Sequence, residues 1–122
     1  MKLIDVVNAH NMIDSLSDKE GLGAHLAYMM TKFVIATQSD ADFYNKEIRK
    51  LFDKFGKSDE DGNVTIRAEN IESFQTSVAN LQNTEAVDPD IRLSLSELSK
   101  ELKLSMKQIY PLMAFIKEDT NC

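Results

Sequence analysis

One stretch of the sequence decides the fold of this chain: residues 22–56, LGAHLAYMMTKFVIATQSDADFYNKEIRKLFDKFG. Its apolar residues recur mostly at intervals of three and four, the spacing of one face of an α-helix. Glycine at the end of such a stripe commonly stops the helix in a left-handed conformation. The stretch therefore predicts a long second helix that begins near Leu22 and stops at Gly56. Its apolar face consists of Leu22, Leu26, Met29, Phe33, Ala36, Ala41, Tyr44, Ile48, Leu51 and Phe55.

The predicted length of this helix raises a question about the whole molecule. A continuous helix would be about 50 Å long, whereas a compact domain of this chain length is about 35 Å across. Either the helix breaks near TQSDAD, where Ser39 can cap a second piece, or it projects and another subunit covers its apolar seam. Gln38, Ser39 and Asp42 are tolerated on a solvated helix face. We therefore expect the continuous helix and a homo-oligomer, with a helical hairpin as the alternative.

The rest of the chain predicts shorter elements. Residues 3–16 have helical spacing, residues 63–67 alternate like a strand, and residues 69–83 return to helical spacing. Residues 91–95 alternate again and are expected to pair with 63–67. Ser94 and Ser105 stand where helix caps are expected, and Pro111 should kink the last helix or start its final piece.

These elements predict the fold class and the organisation of the chain. The class is α+β and helix-dominated, with a long helix or helical hairpin and a small two-stranded sheet. We expect one domain over residues 1–122, with a helical part at 1–56, a small α+β part at 57–117 and a polar, frayed tail at 118–122.

A segment that resembles a calcium loop, GKSDEDGNVTIRAENIESF at residues 56–74, lacks the ligands of one. If Gly62 takes the glycine position of an EF-hand loop, Lys57 and Ala68 occupy the first and last ligand positions, where carboxylates are needed. If the loop starts at Asp59 instead, Val64 stands where glycine is required. The sequence therefore predicts no metal site here, and a turn at residues 61–63 that leads into a strand.

No pattern of catalytic residues is present elsewhere. His10 and His25 lie on different predicted helices without a partner at the spacing of a helical metal pair, so we expect structural roles for both, His10 beside Asp14. The sequence has no glycine-rich phosphate loop and no serine elbow. We therefore predict no catalytic residue, no cofactor and no enzymatic activity. Four carboxylates are expected to be solvated charge: Glu69, Glu72, Glu97 and Glu101.

Aromatic residues are concentrated on the second helix. Some of them spread beyond its apolar seam, and such residues are favoured at interfaces. Burial within the monomer is the simpler interpretation. The alternative is a subunit or partner interface formed by Tyr28, Phe33, Phe43, Tyr44 and Phe52.

Composition restricts the class of partner. The formal net charge of the 122 residues is −6, which argues against binding to nucleic acid because that binding requires clustered Lys and Arg. No apolar run approaches the ~20 residues of a membrane span, so we expect a soluble protein that does not bind membranes. The single cysteine, Cys122, suits a reducing intracellular compartment.

Five segments together resemble a family of small proteins of unknown function encoded by tailed bacteriophages. They are LIDVVNAHNMI, EIRKLFDKFGKSDEDGN, ENIESFQ, LSLSEL and LKLSMKQIYPLMAFI. The linker NTEAVDPDIRL departs in detail from the acidic, valine-rich linker of that family. The resemblance brings no catalytic residues. It implies a phage gene product in the host bacterial cytoplasm or in particle assembly.

Two functions are therefore expected. The first is an accessory phage protein that binds or sequesters a host factor, either a protein or a small nucleotide defence signal. The alternative is a morphogenesis protein, such as a tail-assembly factor or a minor virion component.

Overall fold

The computed structural model describes residues 1–118, so most of the predicted frayed tail lies outside the described residues. Of these described residues 65% are helical, and the helix-dominated α+β class is confirmed. The described elements, in order, are α1 (Leu3–Ser15), α2 (Ala24–Phe55), β1 (Gly56–Ser58), β2 (Val64–Ile66), a 3₁₀ helix (Ala68–Asn70), α3 (Ile71–Gln82), β3 (Leu93–Ser94), α4 (Leu95–Glu101), α5 (Met106–Ile109), a second 3₁₀ helix (Tyr110–Phe115) and β4 (Ile116–Lys117).

Helix α2 is continuous through Ser39, as expected, and the alternative break is absent from this described helix. Its 32 residues span about 48 Å. On the exposed side, the amide of Gln38 donates a hydrogen bond of 3.0 Å to Asp42, one turn later. Gln38 and Asp42 therefore face solvent and bridge successive turns without interrupting the backbone.

The hydrophobic core surrounds the first half of α2. Helix α1, the segment from Ile91 to Leu102 and the second 3₁₀ helix pack against this half. The rings of Phe33 and Phe115 meet edge to face at its centre, with their centroids 4.9 Å apart. Since both rings are fully buried, they hold the C-terminal part of the chain against α2.

A buried polar pair joins α1 to α2. The Nδ1 atom of His10 lies 2.8 Å from the hydroxyl oxygen of Thr37, and both residues are buried. The Thr37 hydroxyl donates its proton to the carbonyl of Phe33 at 2.7 Å, so it accepts from His10, and Nδ1 of His10 carries a proton. The structural role expected for His10 is thus confirmed, but its partner is Thr37 on the next helix and not Asp14.

The strand at residues 64–66 does not pair with the segment predicted from sequence. Strand β2 pairs antiparallel with β1, with Gly56 opposite Ile66 and Ser58 opposite Val64. The two strands form a local hairpin directly after α2, because residues 59–63 reverse the chain. Within this turn Gly62 has φ +82°, and the Asp59 carboxylate accepts the backbone N–H groups of Asp61 and Asn63, each at 2.9 Å. The predicted turn is confirmed.

Gly56 ends α2 by a different mechanism from the one predicted. Its φ of −96° is extended, not left-handed. A Cβ atom at this position would lie 2.5 Å from the carbonyl oxygen of Phe52 and 2.6 Å from Val64 Cγ1. Glycine is required here because the hairpin folds back closely against the end of the helix.

The predicted strand at 91–95 is only the two-residue strand β3, and it pairs in parallel with β4, Leu93 opposite Ile116. It is short because Ser94 caps α4, accepting the backbone N–H of Glu97 at 3.3 Å. Ser105 and Gln108 form a capping box at the start of α5. Pro111 stands at the beginning of the second 3₁₀ helix and starts the last piece of the helical segment.

Candidate functional site

The second half of α2 belongs to a part of the molecule that has no core of its own. Within the described chain, no side chain between residues 42 and 90 is fully buried. This part consists of the end of α2, the β1–β2 hairpin and α3. Two helices and a two-stranded hairpin form a layer too thin to enclose their apolar side chains, and such a hairpin alone is only marginally stable.

Aromatic contacts nevertheless give this part of the chain a defined arrangement. The ring of Phe74 on α3 lies 5.2 Å from that of Phe52 and 6.3 Å from that of Phe55, both at the end of α2. The side-chain amide of Asn70 donates to the Phe55 carbonyl at 3.3 Å, and Gln82 donates to the Tyr44 hydroxyl at 3.3 Å. Helix α3 is therefore fixed along the second half of α2.

A set of apolar side chains remains accessible around the end of α2. Three of them are 36–45% exposed, whereas their neighbours in the same set are half-buried. Single exposed apolar residues are common on protein surfaces, whereas several here lie around a unit without a core. We name this surface the distal patch and define it by Phe52, Val64 and Ile71, which are exposed, with Phe55, Ile66 and Phe74, which are half-buried.

The structure separates the five aromatic residues of the predicted interface. Phe33 is fully buried in the core, so the simpler interpretation, burial in the monomer, holds for it. Tyr44 is half-buried against α3, and Phe52 belongs to the distal patch. Tyr28 and Phe43 are exposed at 60% and 48%. Phe52 lies nine positions after Phe43, which places the two about 180° apart around α2, so the five residues do not form one surface.

Sequence reasoning missed most of the distal patch. The strand pattern of residues 63–67 and the helical spacing of residues 69–83 predict only that Val64, Ile71 and Phe74 lie on the apolar sides of a strand and a helix. The sequence did contain a signal of this surface, because residues 42–90 include two amphipathic helical stretches and no further apolar element to cover them. The predicted pairing of residues 63–67 with 91–95 obscured this signal by joining the segment to the core.

Charged residues of both signs surround the distal patch along the chain. Lys54, Lys57 and Arg67 are exposed, as are Asp53, Glu69 and Glu72. The Lys54 ammonium lies 5.2 Å from the centroid of the Phe55 ring. A mixed rim of this kind is compatible with a two-fold contact between identical surfaces, in which each positive group of one copy can meet a negative group of the other.

A histidine and two glutamates meet at the opposite end of α2. The Nδ1 atom of His25 lies 2.6 Å from a Glu97 carboxylate oxygen, and the Glu101 carboxylate accepts the backbone N–H of Gly23. Glu97 and Glu101 were predicted as solvated charge, and this prediction is wrong because both bind the start of α2. Negative groups at a helix N-terminus satisfy free N–H groups and the helix dipole.

This cluster does not extend to a metal site in the described chain. No group of three His, Cys, Asp or Glu side chains within residues 1–118 is arranged to hold a metal ion. The carboxylate of Glu101 is engaged by backbone, and the imidazole of His25 is largely exposed. The arrangement therefore ties α4 to the start of α2.

Two clefts with mainly apolar linings lie on the core half of the molecule, beside a third of about 390 Å³ that is lined by polar residues of α4 such as Glu97 and Glu101. One, of about 190 Å³, separates the end of α1 from the first half of α2 and is lined mainly by aliphatic residues such as Ile13, Leu16 and Val34. The other, of about 260 Å³, is lined mainly by leucine and isoleucine from residues 95–116. Each of these two linings includes one charged residue, Asp14 in the first and Lys103 in the second.

Comparisons with known proteins give no further guidance: no family model matches the chain, and no curated protein or solved structure is detectably similar to it. Among residues 1–118, none of the helices has the length and the apolar character needed to cross a bilayer.

Proposed function

We propose that this protein is a non-enzymatic binding protein that self-associates through the distal patch. One observation carries the proposal: residues 42–90 contain no fully buried side chain but hold accessible aromatic and aliphatic groups in a fixed arrangement. A second copy placed against this surface would supply the missing layer of a core. Exclusion of water from this surface is favourable by about 25 cal/mol for each Å² of apolar area.

The wider role follows from the resemblance to phage proteins. We propose that the assembled protein acts in the host bacterial cytoplasm as a phage accessory factor that binds or sequesters a host component. Self-association supports this role because two copies present each binding surface twice, and paired surfaces hold a partner more tightly than single ones do. The alternative remains a morphogenesis protein.

Self-association is tested by measuring molar mass in solution. We expect the protein to sediment with at least twice the mass of its 13.8 kDa chain. The double variant Val64→Glu/Ile71→Glu should sediment as a monomer, because a charge buried without a partner is strongly unfavourable. Ile35→Glu is the matched control, since Ile35 is 71% exposed but lies outside the distal patch.

Circular dichroism distinguishes dissociation from unfolding in these variants. The double variant should keep the helical signal of the wild type, because both substituted side chains are already partly exposed. A wild-type protein that is monomeric at about 100 µM, a concentration that would populate any dimer of micromolar affinity, contradicts the proposal. If Ile35→Glu dissociates the protein and the double variant does not, the interface lies on another face of α2, and the proposal is contradicted.

The two cellular roles are separated by deleting the gene from the phage. A host-factor role predicts a normal burst in a host without defence systems and failure in a host that has them. A role in morphogenesis predicts loss of particles in both hosts and co-purification of the protein with virions.

A further inference from the structure

Three exposed apolar side chains follow one another along the C-terminal helical segment. Met106, Tyr110 and Met113 are 89%, 78% and 63% exposed. Helix α5 runs directly into the second 3₁₀ helix, so the spacing of four is α-helical and the spacing of three is 3₁₀. Both spacings place neighbouring side chains on the same face. We name this line of residues the C-terminal stripe.

The segment that carries the stripe is anchored to the core. Leu112 and Phe115, on the same segment, are fully buried, and Phe115 packs against Phe33 in the core. The start of the segment is held by the capping box of Ser105 and Gln108, in which both hydrogen bonds are formed. The stripe is therefore exposed on a segment that is anchored to the core, and none of its three side chains is part of that core.

The segment that carries the stripe contains lysines and no acidic residue, between Glu101 and Glu118 at its ends, although the protein is acidic. Residues 102–117 contain three lysines and no Asp or Glu, which gives this segment a charge of +3 in a chain of net charge −6. Lys103, Lys107 and Lys117 are all exposed. None of the three takes part in an ion pair found among residues 1–118. This one segment of the chain therefore combines exposed lysines with accessible apolar side chains.

We propose that the C-terminal stripe is a docking site for an acidic amphipathic helix of a partner protein. The inference rests on the binding function proposed above and makes the partner a protein instead of a nucleotide. The ridge formed by Met106, Tyr110 and Met113 suits the groove between side chains of a second helix, and methionine adapts its shape to the partner. Carboxylates along the edge of that helix would pair with Lys103 and Lys107.

The charge distribution favours a helix over an anionic membrane or a nucleic acid. Subtracting +3 for residues 102–117 from −6 leaves −9 on the rest of the chain. An extended anionic bilayer or duplex would face this negative remainder as well as the lysines. A single helix contacts only the stripe and its flanking cations, so it gains the attraction without most of the repulsion.

The test uses methionine-methyl NMR of the full protein. The probe is a helical peptide with leucine at positions i, i+3, i+4 and i+7 and glutamate along both edges, and its control has lysine in place of glutamate. We expect the Met106 and Met113 methyl signals to shift saturably with the acidic peptide, with a dissociation constant below about 1 mM. The signal of Met30, which is buried in the core, should not move.

Matched charge variants test the contribution of the lysines. Lys103→Glu/Lys107→Glu should weaken binding of the acidic peptide at least about tenfold, because it replaces attraction by repulsion. Lys19→Glu/Lys46→Glu has the same net charge but changes exposed lysines outside residues 102–117, and it should bind as the wild type does.

Several outcomes would overturn the inference. These are the absence of shifts with the acidic peptide, equal shifts with the lysine peptide, or equal weakening by both charge variants. A response to phosphatidylserine vesicles without a response to the peptide would assign the stripe to a membrane surface instead. Sedimentation is measured on the same samples. If the protein self-associates but does not bind the peptide, only the docking inference is contradicted. If a monomeric protein binds the peptide, only self-association is contradicted.

Discussion

The carboxylate of Asp88 accepts hydrogen bonds from both terminal nitrogens of Arg92, at 2.6 and 3.0 Å. The guanidinium of Arg92 also lies 5.5 Å from the centroid of the buried Phe115 ring. Asp88 accepts in addition the backbone N–H of Asp90, which has φ +58°. This bidentate pair therefore fixes the segment between α3 and β3 against the core. The same segment joins the distal half of the molecule to the core half.

The Asp88–Arg92 pair predicts a loss of stability in acid. The hydrogen bond from Arg92, followed by that from the Asp90 N–H, lowers the pKa of Asp88 from 3.8 to about 2. Because the pKa is lower in the folded state than in the unfolded state, the pair stabilises the fold above about pH 4, and this stabilisation is lost as the pH falls towards about 2. Asp88→Asn should therefore lower the free energy of unfolding near neutral pH and have little effect near pH 2.

Urea unfolding at a series of pH values measures this difference. Its size should be on the order of 1 kcal/mol or less, because the Asp88 side chain is 40% exposed and solvent screens the pair. Asp18→Asn, at an exposed turn position, is the control and should show no such trend. A difference between wild type and Asp88→Asn that does not change with pH would contradict the role assigned to the pair.

Gly56 and Gly62 should respond differently to substitution. Gly56→Ala forces a Cβ atom against the Phe52 carbonyl and the Val64 side chain, so we expect a loss of about 1–3 kcal/mol in the free energy of unfolding. At Gly62 no atom lies within 4 Å of the added Cβ, and only the left-handed backbone, which asparagine tolerates, restricts the residue. Gly62→Asn should therefore cost clearly less stability than Gly56→Ala.

Thermal unfolding and amide hydrogen exchange check this comparison. Exchange in Gly56→Ala should accelerate at the end of α2 and in the hairpin more than in α1, because the clash lies in the part of the chain without a core. Equal stability of the two variants would show that the approach of the hairpin to α2 is not as close as described.

The pair formed by His10 and Thr37 can be tested with one isosteric change. Thr37→Val removes the acceptor of the buried His10 N–H group, and an unsatisfied buried donor costs about 1–3 kcal/mol. Thr37→Ser keeps the hydroxyl and should lose less stability. Nitrogen NMR of His10 should show the proton on Nδ1 in the wild type. A neutral imidazole protonated only on Nε2 would contradict the direction of this hydrogen bond.

The sequence predicted well those features that depend on near neighbours along the chain. The continuous α2, the caps at Ser94 and Ser105 and the turn at residues 59–63 all follow from side-chain and backbone chemistry within a few residues. Features that depend on distant contacts were predicted less well. The alternation of residues 91–95 suggested a longer strand, but the cap at Ser94 starts a helix there, and the partner strand comes from the end of the chain.

The candidate sites show the same division. The sequence by itself determined that α2 is amphipathic and longer than a compact core, because helical periodicity and the absence of a breaker are local properties. Only the tertiary structure decided that Phe33 is buried, that the distal patch is accessible and that Met106, Tyr110 and Met113 form an exposed line. The physical reason is that burial depends on which distant elements cover a side chain, and apolar side chains have the same spacing along a helix whether a neighbour covers them or not.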